Sequence, residues 1–389
     1  MPSGFTTGGT DFDNQFIRRE FFQQGTLWGW GYNYYGSLGD NTNTQRNSPV
    51  QTVAWGLNWM QVSCGQRFSA GIKNDGTLWT WGLATNGQLG NNTNGLGTQS
   101  PTQTVAAGTN WKQVSAGGYT CGAIKTDGTL WMWGQGANGN LGNNGYSNRS
   151  SPVQTIAAGN NWKQISVSYK FTGAIKTDGT LWMWGINQFG DLGTNNQTDY
   201  SSPVQTIAVG TNWKQVSAGG YSTSAIKTDG TLWVWGWNIY GQLGTNDTNH
   251  RSSPVQTVAG GTNWKQVTGS KYSWAAIKTD GTLWTWGVNT NGQLGTNNIT
   301  NYSSPVQTVA GGTNWKQVSA GGYAMAAIKT DGTLWTWGVN NTGNLGTNDT
   351  TKRSSPIQTV AGGTNWKQVS ASGPILSGDP HTMAITTVN

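Results

Sequence analysis

A heptapeptide, Gly-Thr-Leu-Trp-x-Trp-Gly, begins at Gly25, Gly76, Gly128, Gly179, Gly230, Gly281 and Gly332. Its first tryptophans, from Trp28 to Trp335, are 51 residues apart, with one spacing of 52 between Trp79 and Trp131. A second marker, Asn-Trp, keeps the same beat at Trp59, Trp111, Trp162, Trp213, Trp264, Trp315 and Trp366. Two markers on one period define a tandem array, and a period of this size means a solenoid, a propeller or an array of small units.

Within one unit, Ala326–Lys329, Thr330-Asp331-Gly332 and Thr333–Gly338 read as strand, tight turn and strand. Asp-Gly between apolar runs is a hairpin signal whose two turn residues tolerate positive φ. Val339–Ser355, rich in Asn, Gly, Thr and Ser, reads as a long loop. Ile357–Val360, introduced by Ser-Pro, and Asn365–Ser370 supply two more strands. Four short strands cannot bury both faces of their sheet alone, whereas seven such sheets set radially bury them against one another. The expected fold is therefore all-β, a seven-bladed β-propeller of four-stranded antiparallel blades. Both rings of each Trp-x-Trp pair fall on one side of their strand and line the wall between blades.

The last unit ends in a strand, residues 381–388, that has no Asp-Gly-Thr-Leu-Trp after it. The matching strand stands at the other end of the chain, so 381–388 is expected to pair with Leu27–Trp30 and close the ring. Residues 21–389 then form the propeller. Residues 1–20 are surplus to it, a disordered tail or an anchor through Phe16, Ile17, Arg18 and Arg19. The final unit also carries six extra residues around Ser372 to Asp379, read as a loop on one face. No signal peptide or apolar membrane-spanning run is present, which points to synthesis in the cytoplasm.

The net charge is +7, and its distribution is informative. Each hairpin lysine, Lys73, Lys125, Lys176, Lys227, Lys278 and Lys329, has an aspartate two residues on, and these charges cancel locally. The surplus is a second series after Asn-Trp: Lys112, Lys163, Lys214, Lys265, Lys316 and Lys367, with Met60 in the first unit. Closed into a ring, these lysines can attract a polyanion such as nucleic acid; solvated lysines that maintain solubility are the plainer account. Cys64 and Cys121 occupy non-equivalent places and read as two buried thiols.

Each unit resembles the repeat of the regulator of chromosome condensation family. The resemblance rests on the Asp-Gly-Thr-Leu-Trp-Thr-Trp-Gly stretch, on Trp286–Gly295, and on Gln113–Tyr119, Gln215–Tyr221 and Gln317–Tyr323. It extends to Gly378–Ile385, where His381 and Thr382 sit as that family's His-Thr pair. It implies a seven-bladed propeller over residues 21–389, and founding members that act as exchange factors for a small nuclear GTPase and bind chromatin. This chain has no inserted β-wing, acidic cluster or basic arm that would carry exchange over residue by residue, and one fold hosts many functions.

Chemistry of other kinds is sparse. His250 and His381 stand in unrelated settings, Glu20 is the sole glutamate, and no phosphate-binding Gly-Lys-Ser/Thr loop occurs. A non-enzyme without metal or cofactor is expected. The variable positions of the long loops instead offer a binding surface for a protein partner or a surface glycan, through Tyr34, Tyr35, Gln188, Phe189, Trp237, Ile239 and Tyr240. Tolerant loop tips explain the same variation. Low charge and abundant Asn, Thr, Gly and Ser suggest a structural or adhesive module, such as a virion tail, fibre or capsid decoration contacting other virion proteins and displayed through its N-terminal tail. The alternative is a regulatory interaction propeller that binds a GTPase or chromatin.

Overall fold

The Asp-Gly turns set the local geometry of six of the seven blades. In the computed structural model, Gly332 N donates to Lys329 O at 2.9 Å and Lys329 N donates to Thr333 O at 3.0 Å. Only Gly332 takes positive φ, at 79°, so the expectation that both turn residues do so is corrected. The turn is type I followed by a left-handed glycine, and the aspartate is chosen for its side chain. Asp331 accepts from Thr333 N and Oγ1 at 2.9 and 2.7 Å, and that Oγ1 accepts from Trp335 Nε1 at 2.9 Å. These bonds, led by the Thr333 amide, hold the Asp331 carboxyl below its ordinary pKa. The neighbouring lysine does more than cancel charge. Lys329 Nζ lies 4.9 Å from the Trp315 ring and 4.4 Å from the Trp335 ring, a cation held between two π faces.

The structure describes residues 25–387 except 54, 55, 57, 107, 157, 158, 208, 209 and 373–378. The candidate anchor Phe16, Ile17, Arg18 and Arg19 lies outside them, as does most of the insertion in the last unit. The described residues form seven four-stranded antiparallel sheets. Blades 1 to 6 are the consecutive strands within 59–103, 111–154, 162–205, 213–256, 264–307 and 315–358. Blade 7 combines Trp366–Ala371 and His381–Thr386 with Leu27–Gly31 and Arg46–Gln51. Its register, from Leu27↔Ile385 to Gly31↔His381, is the closure expected from sequence.

The outermost strand differs from expectation. It runs Arg353–Gln358, not 357–360, and takes Pro356 into its body. A register shift between Thr336 and Gly338 admits the proline, which has no N–H to give the ladder. Val360 then leaves the strand and is exposed.

Two sets of side chains lock each blade to the next. On the innermost strands, Gln215 Nε2 donates to Val267 O at 3.0 Å while its Oε1 accepts from Val267 N at 3.1 Å. Ser217 Oγ accepts from Gly269 N at 3.2 Å. The same glutamine bridge runs round the ring to Gln368, which bonds Val62 O and N at 3.1 and 3.0 Å. Edge strands that face one another across a gap too wide for direct pairing thus have their backbone groups satisfied by side chains.

Between blades lies an apolar layer. Trp235 is fully buried with Phe171, Ile175, Leu181 and Met183 of the preceding blade, beside Trp213 and Val216 of its own. Its indole N–H crosses to Asp191 O at 2.8 Å. Each second tryptophan repeats this bond to a preceding loop, as far as Trp30 with Asn344 O at 2.9 Å across the closure. The two rings of a pair therefore differ: the second is core, and the first is half-buried, against the hairpin lysine in blades 1 to 6. Burying such a side chain contributes about 1.5–3 kcal/mol.

Candidate functional site

Strand direction sorts the connections into two ends. The turns after the innermost strands and the long loops emerge at one end; the Asp-Gly turns and the starts of the innermost strands lie at the other. At the first end the innermost strands finish in small residues, such as Ala116-Gly117-Gly118 and Ala320-Gly321-Gly322, which leave a central funnel with about 100 Å³ of space. Rings stand around its rim.

The largest run crosses blades 3 to 6. Phe189 packs against Tyr221 and Trp237 with centroids 5.8 and 6.0 Å apart. Tyr221 meets Trp237 at 5.6 Å, and Trp237 meets Tyr240 and Tyr272 at 5.5 and 6.0 Å. Tyr272 stacks on Tyr323 at 5.2 Å. Three of these six are edge-to-face contacts, an arrangement the ring quadrupole favours. Lys170 lies 4.5 Å from the Tyr221 ring, and Lys271 lies 5.1 and 4.7 Å from those of Tyr221 and Tyr272. His250 packs edge-on against Phe189 at 5.2 Å, accepts from Asn238 N at 3.0 Å, and is pushed below its ordinary pKa by burial. Tyr240 and Ile239 remain exposed, at 42% and 46%.

Of the sequence candidates, Phe189, Trp237 and Tyr240 are thus brought into one patch. Gln188 and Ile239 are exposed beside it. Tyr34 and Tyr35 form a second group with Tyr32, at 5.0 Å from each other and 6.4 Å between Tyr32 and Tyr35. There Arg67 lies 5.2 Å from the Tyr35 ring and pairs with Asp379. Arg67 holds positive φ, 63°, a conformation unfavourable for its side chain. Burial, helped by Asp379, pushes the Tyr32 hydroxyl up to about 12. Sequence reading missed Tyr221, Tyr272, Tyr323, Lys170 and Lys271. Their signal was a shared place after the innermost strand, which was legible only as a repeat marker.

The loops are not slack. Asn238, fully buried, accepts from Leu243 N at 2.8 Å and donates to Asp247 O and Asn249 O at 3.0 Å each. Asp247 in turn pairs with Arg251 at 2.6 Å. Under the patch, Asp191 accepts from Phe189 N at 3.2 Å, the place that Gln242 fills for Tyr240 N at 3.0 Å. Burial pushes its carboxyl up to about 7. A protonated acid there copies the neutral amide of its counterparts.

His381 is structural. Ser69 Oγ donates to Ser37 O at 2.9 Å, so His381 Nε2–H donates to Ser69 Oγ at 2.9 Å. Nδ1 then accepts from Ser372 Oγ at 2.8 Å, and that oxygen accepts from His381 N. Burial depresses this imidazole to about 3. Below the ordinary value of 6.5 the unfolded chain takes up a proton that the native state refuses, so stability present above pH 6.5 is lost as pH falls toward 3. The expected loss is on the order of 3 kcal/mol by pH 4. His381→Gln should be less stable at pH 7 yet show a flatter decline, checked by thermal unfolding from pH 7 to 4. A parallel decline in both proteins would refute the assignment.

No cluster of three or more His, Cys, Asp or Glu able to hold a metal occurs among the described residues. Cys64 and Cys121 are free and buried.

A family profile described as the RCC1-like domain matches residues 26–384. The ultraviolet-B receptor UVR8 of Arabidopsis thaliana is 30% identical over 84% of this chain and 76% of its own. The E3 ubiquitin-protein ligase HERC2 of Homo sapiens is 27% identical over 93% of this chain, a match that spans 8% of that protein. Among solved structures, Prp20p from Saccharomyces cerevisiae superposes with a TM-score of 0.82 at 16% identity, over 94% of this chain and 92% of its own. Human WBSCR16 superposes with a TM-score of 0.81 at 19% identity, over 93% and 99%.

Proposed function

Because the chain belongs to the RCC1-like domain family, we propose that it is a protein-binding propeller whose partner docks on the tyrosine-rich end. The observation that carries this reading is the run Phe189, Tyr221, Trp237, Tyr240, Tyr272 and Tyr323, with Lys170 and Lys271 seated on its rings. Rigid aromatic rings and cations are what binding hot spots are made of, and here they stand on a closed scaffold with buried asparagines fixing the loops. The regulatory reading thereby gains over the displayed virion or adhesive module. The relatives above come from a plant, yeast and human, and the tail that would display such a module lies outside the described residues.

Prp20p was characterised for its binding to Gsp1p and histones, so a protein like Gsp1p and histones are the first two to test. Binding is expected to weaken at least tenfold in Trp237→Ala and Tyr272→Ala, with the unfolding midpoint little changed in Tyr240→Ala. A photo-crosslinker at position 240 should capture the partner, and one at position 309, on the opposite end, should not. Capture from position 309 alone would overturn the reading. Binding abolished by deglycosylating the target would move it to a sugar ligand.

A further inference from the structure

The opposite end carries a different pattern. Lys112, Lys163, Lys214, Lys265 and Lys316 are exposed and Lys367 is half-buried. Each is the second residue of an innermost strand. Neighbouring innermost strands are bridged by single glutamine side chains, each from the residue after its lysine, as Gln266 reaches Val318 O at 3.0 Å. The lysines therefore stand one glutamine's reach apart around the axis. Burial, with the positive charge of the neighbouring Lys316, holds Lys367 below its ordinary pKa.

Farther from the axis, at the same end, lie the turns between second and third strands with Asp75, Asp127, Asp178, Asp229, Asp280 and Asp331. Threonine hydrogen bonds hold their carboxyls below the ordinary range, as the Thr282 amide and hydroxyl do for Asp280. Farther still, just beyond the outermost strands, Val105, Ile156, Ile207, Val258, Val309 and Val360 are exposed. The end is a set of concentric bands: unpaired cations at the centre, carboxylates offset by the hairpin lysines around them, aliphatic side chains outside.

We propose that the lysine ring binds a compact polyphosphate on the propeller axis, a small molecule carrying several phosphates. Ammonium groups are point charges that suit phosphate oxygens from many directions, and several of them at short range raise local anion concentration steeply. The uncompensated charge decides the size of the ligand. In the outer turns each aspartate is offset by the hairpin lysine two residues before it, so a nucleic-acid duplex or an anionic bilayer would meet net positive charge only at the axis while lying across turns that do not attract it. A compact ligand sits inside them. Met60 replaces the seventh lysine, so the ring has one gap. This site is independent of the tyrosine-rich face and lies at the other end of the molecule.

The test is titration calorimetry of the full chain with inositol hexakisphosphate and with inorganic tripolyphosphate. One-to-one binding is expected, weakened at least tenfold by Lys214→Ala combined with Lys316→Ala and tightened severalfold by Met60→Lys. Lys352→Ala, which removes an exposed lysine outside the ring, should leave it unchanged. Affinity should fall about tenfold between 50 and 200 mM salt, as for a site that neutralises several charges. Equal weakening by Lys352→Ala would reduce the effect to net charge and overturn the site. So would absence of binding to both phosphates. Lysine-dependent binding of a duplex DNA, with neither phosphate bound, would overturn the compact ligand in favour of an extended one. Unfolding midpoints of the variants distinguish lost binding from lost structure.

Discussion

A chain lacking residues 381–389 is expected to lose cooperative unfolding and to self-associate. The missing strand lies between Leu27–Gly31 and Trp366–Ala371, so its removal bares one long edge on each. Bare, flat edges are templates for aggregation. The same strand serves two apolar layers at once: Met383 and Ile385 pack with Leu27, Trp59 and Trp81, while Ala384 packs with Trp30 and Trp366. No single substitution touches as much. Size-exclusion chromatography with light scattering and a denaturant titration will read the effect. A synthetic peptide of residues 381–389 should restore part of the transition. A truncated protein that stayed monomeric with an unchanged midpoint would mean that the ring does not depend on its closing strand.

The second large effect is expected at Trp235. Trp235→Ala should cost about 3–5 kcal/mol, the usual range for a buried aromatic ring cut to alanine. The loss combines the cavity left among Phe171, Leu181 and Met183 with the indole bond to the Asp191 carbonyl, which is left with Thr223 Oγ1 at 2.8 Å as its donor. Trp235→Phe separates the two contributions. It keeps most of the apolar contact and removes the indole donor, so it should cost about 1–2 kcal/mol. The half-buried Trp233 provides the comparison: Trp233→Ala should cost less, because its ring is partly in water and rests against Lys227 at 4.4 Å. Equal losses at 233 and 235 would contradict the division between core ring and lysine platform. Denaturant midpoints at fixed pH are the measurement.

Much of the architecture was legible because repetition exposes it. The period, the Asp-Gly hairpins and the unpaired strand at 381–388 gave blade number, strand order and closure. What escaped is what a one-dimensional pattern does not carry. The Gln and Ser of the innermost strand carry no local sign of their bridging role, because the backbone groups they satisfy belong to a strand 52 residues away in most blades and 306 residues away at the closure. The outermost strand was placed four residues late, at 357 in place of 353, because proline was read as a boundary and the strand instead absorbs it in a bulge. For the candidate site, Phe189, Trp237 and Tyr240 stood out as departures from the repeat. Tyr221, Tyr272 and Tyr323 did not, because they conform to it; only the ring closure shows that conforming residues from several blades meet the irregular ones.

The glutamine bridges also limit how any partner can engage this protein. Many proteins recruit peptides by adding them as an extra strand to an exposed sheet edge. Here the inner edge of every blade is occupied by side chains of the blade before it. The outer edge is interrupted by its proline, and one of its carbonyls is taken by a loop asparagine of the preceding blade, as Ser303 O is by Asn246 N at 2.8 Å. Asn246 reaches it with φ of 58°. With the inner edge occupied and the outer edge interrupted, strand addition is disfavoured as a route of recruitment. Recognition is left to side chains at the two ends, and specificity can change there, loop by loop, without disturbing the ring.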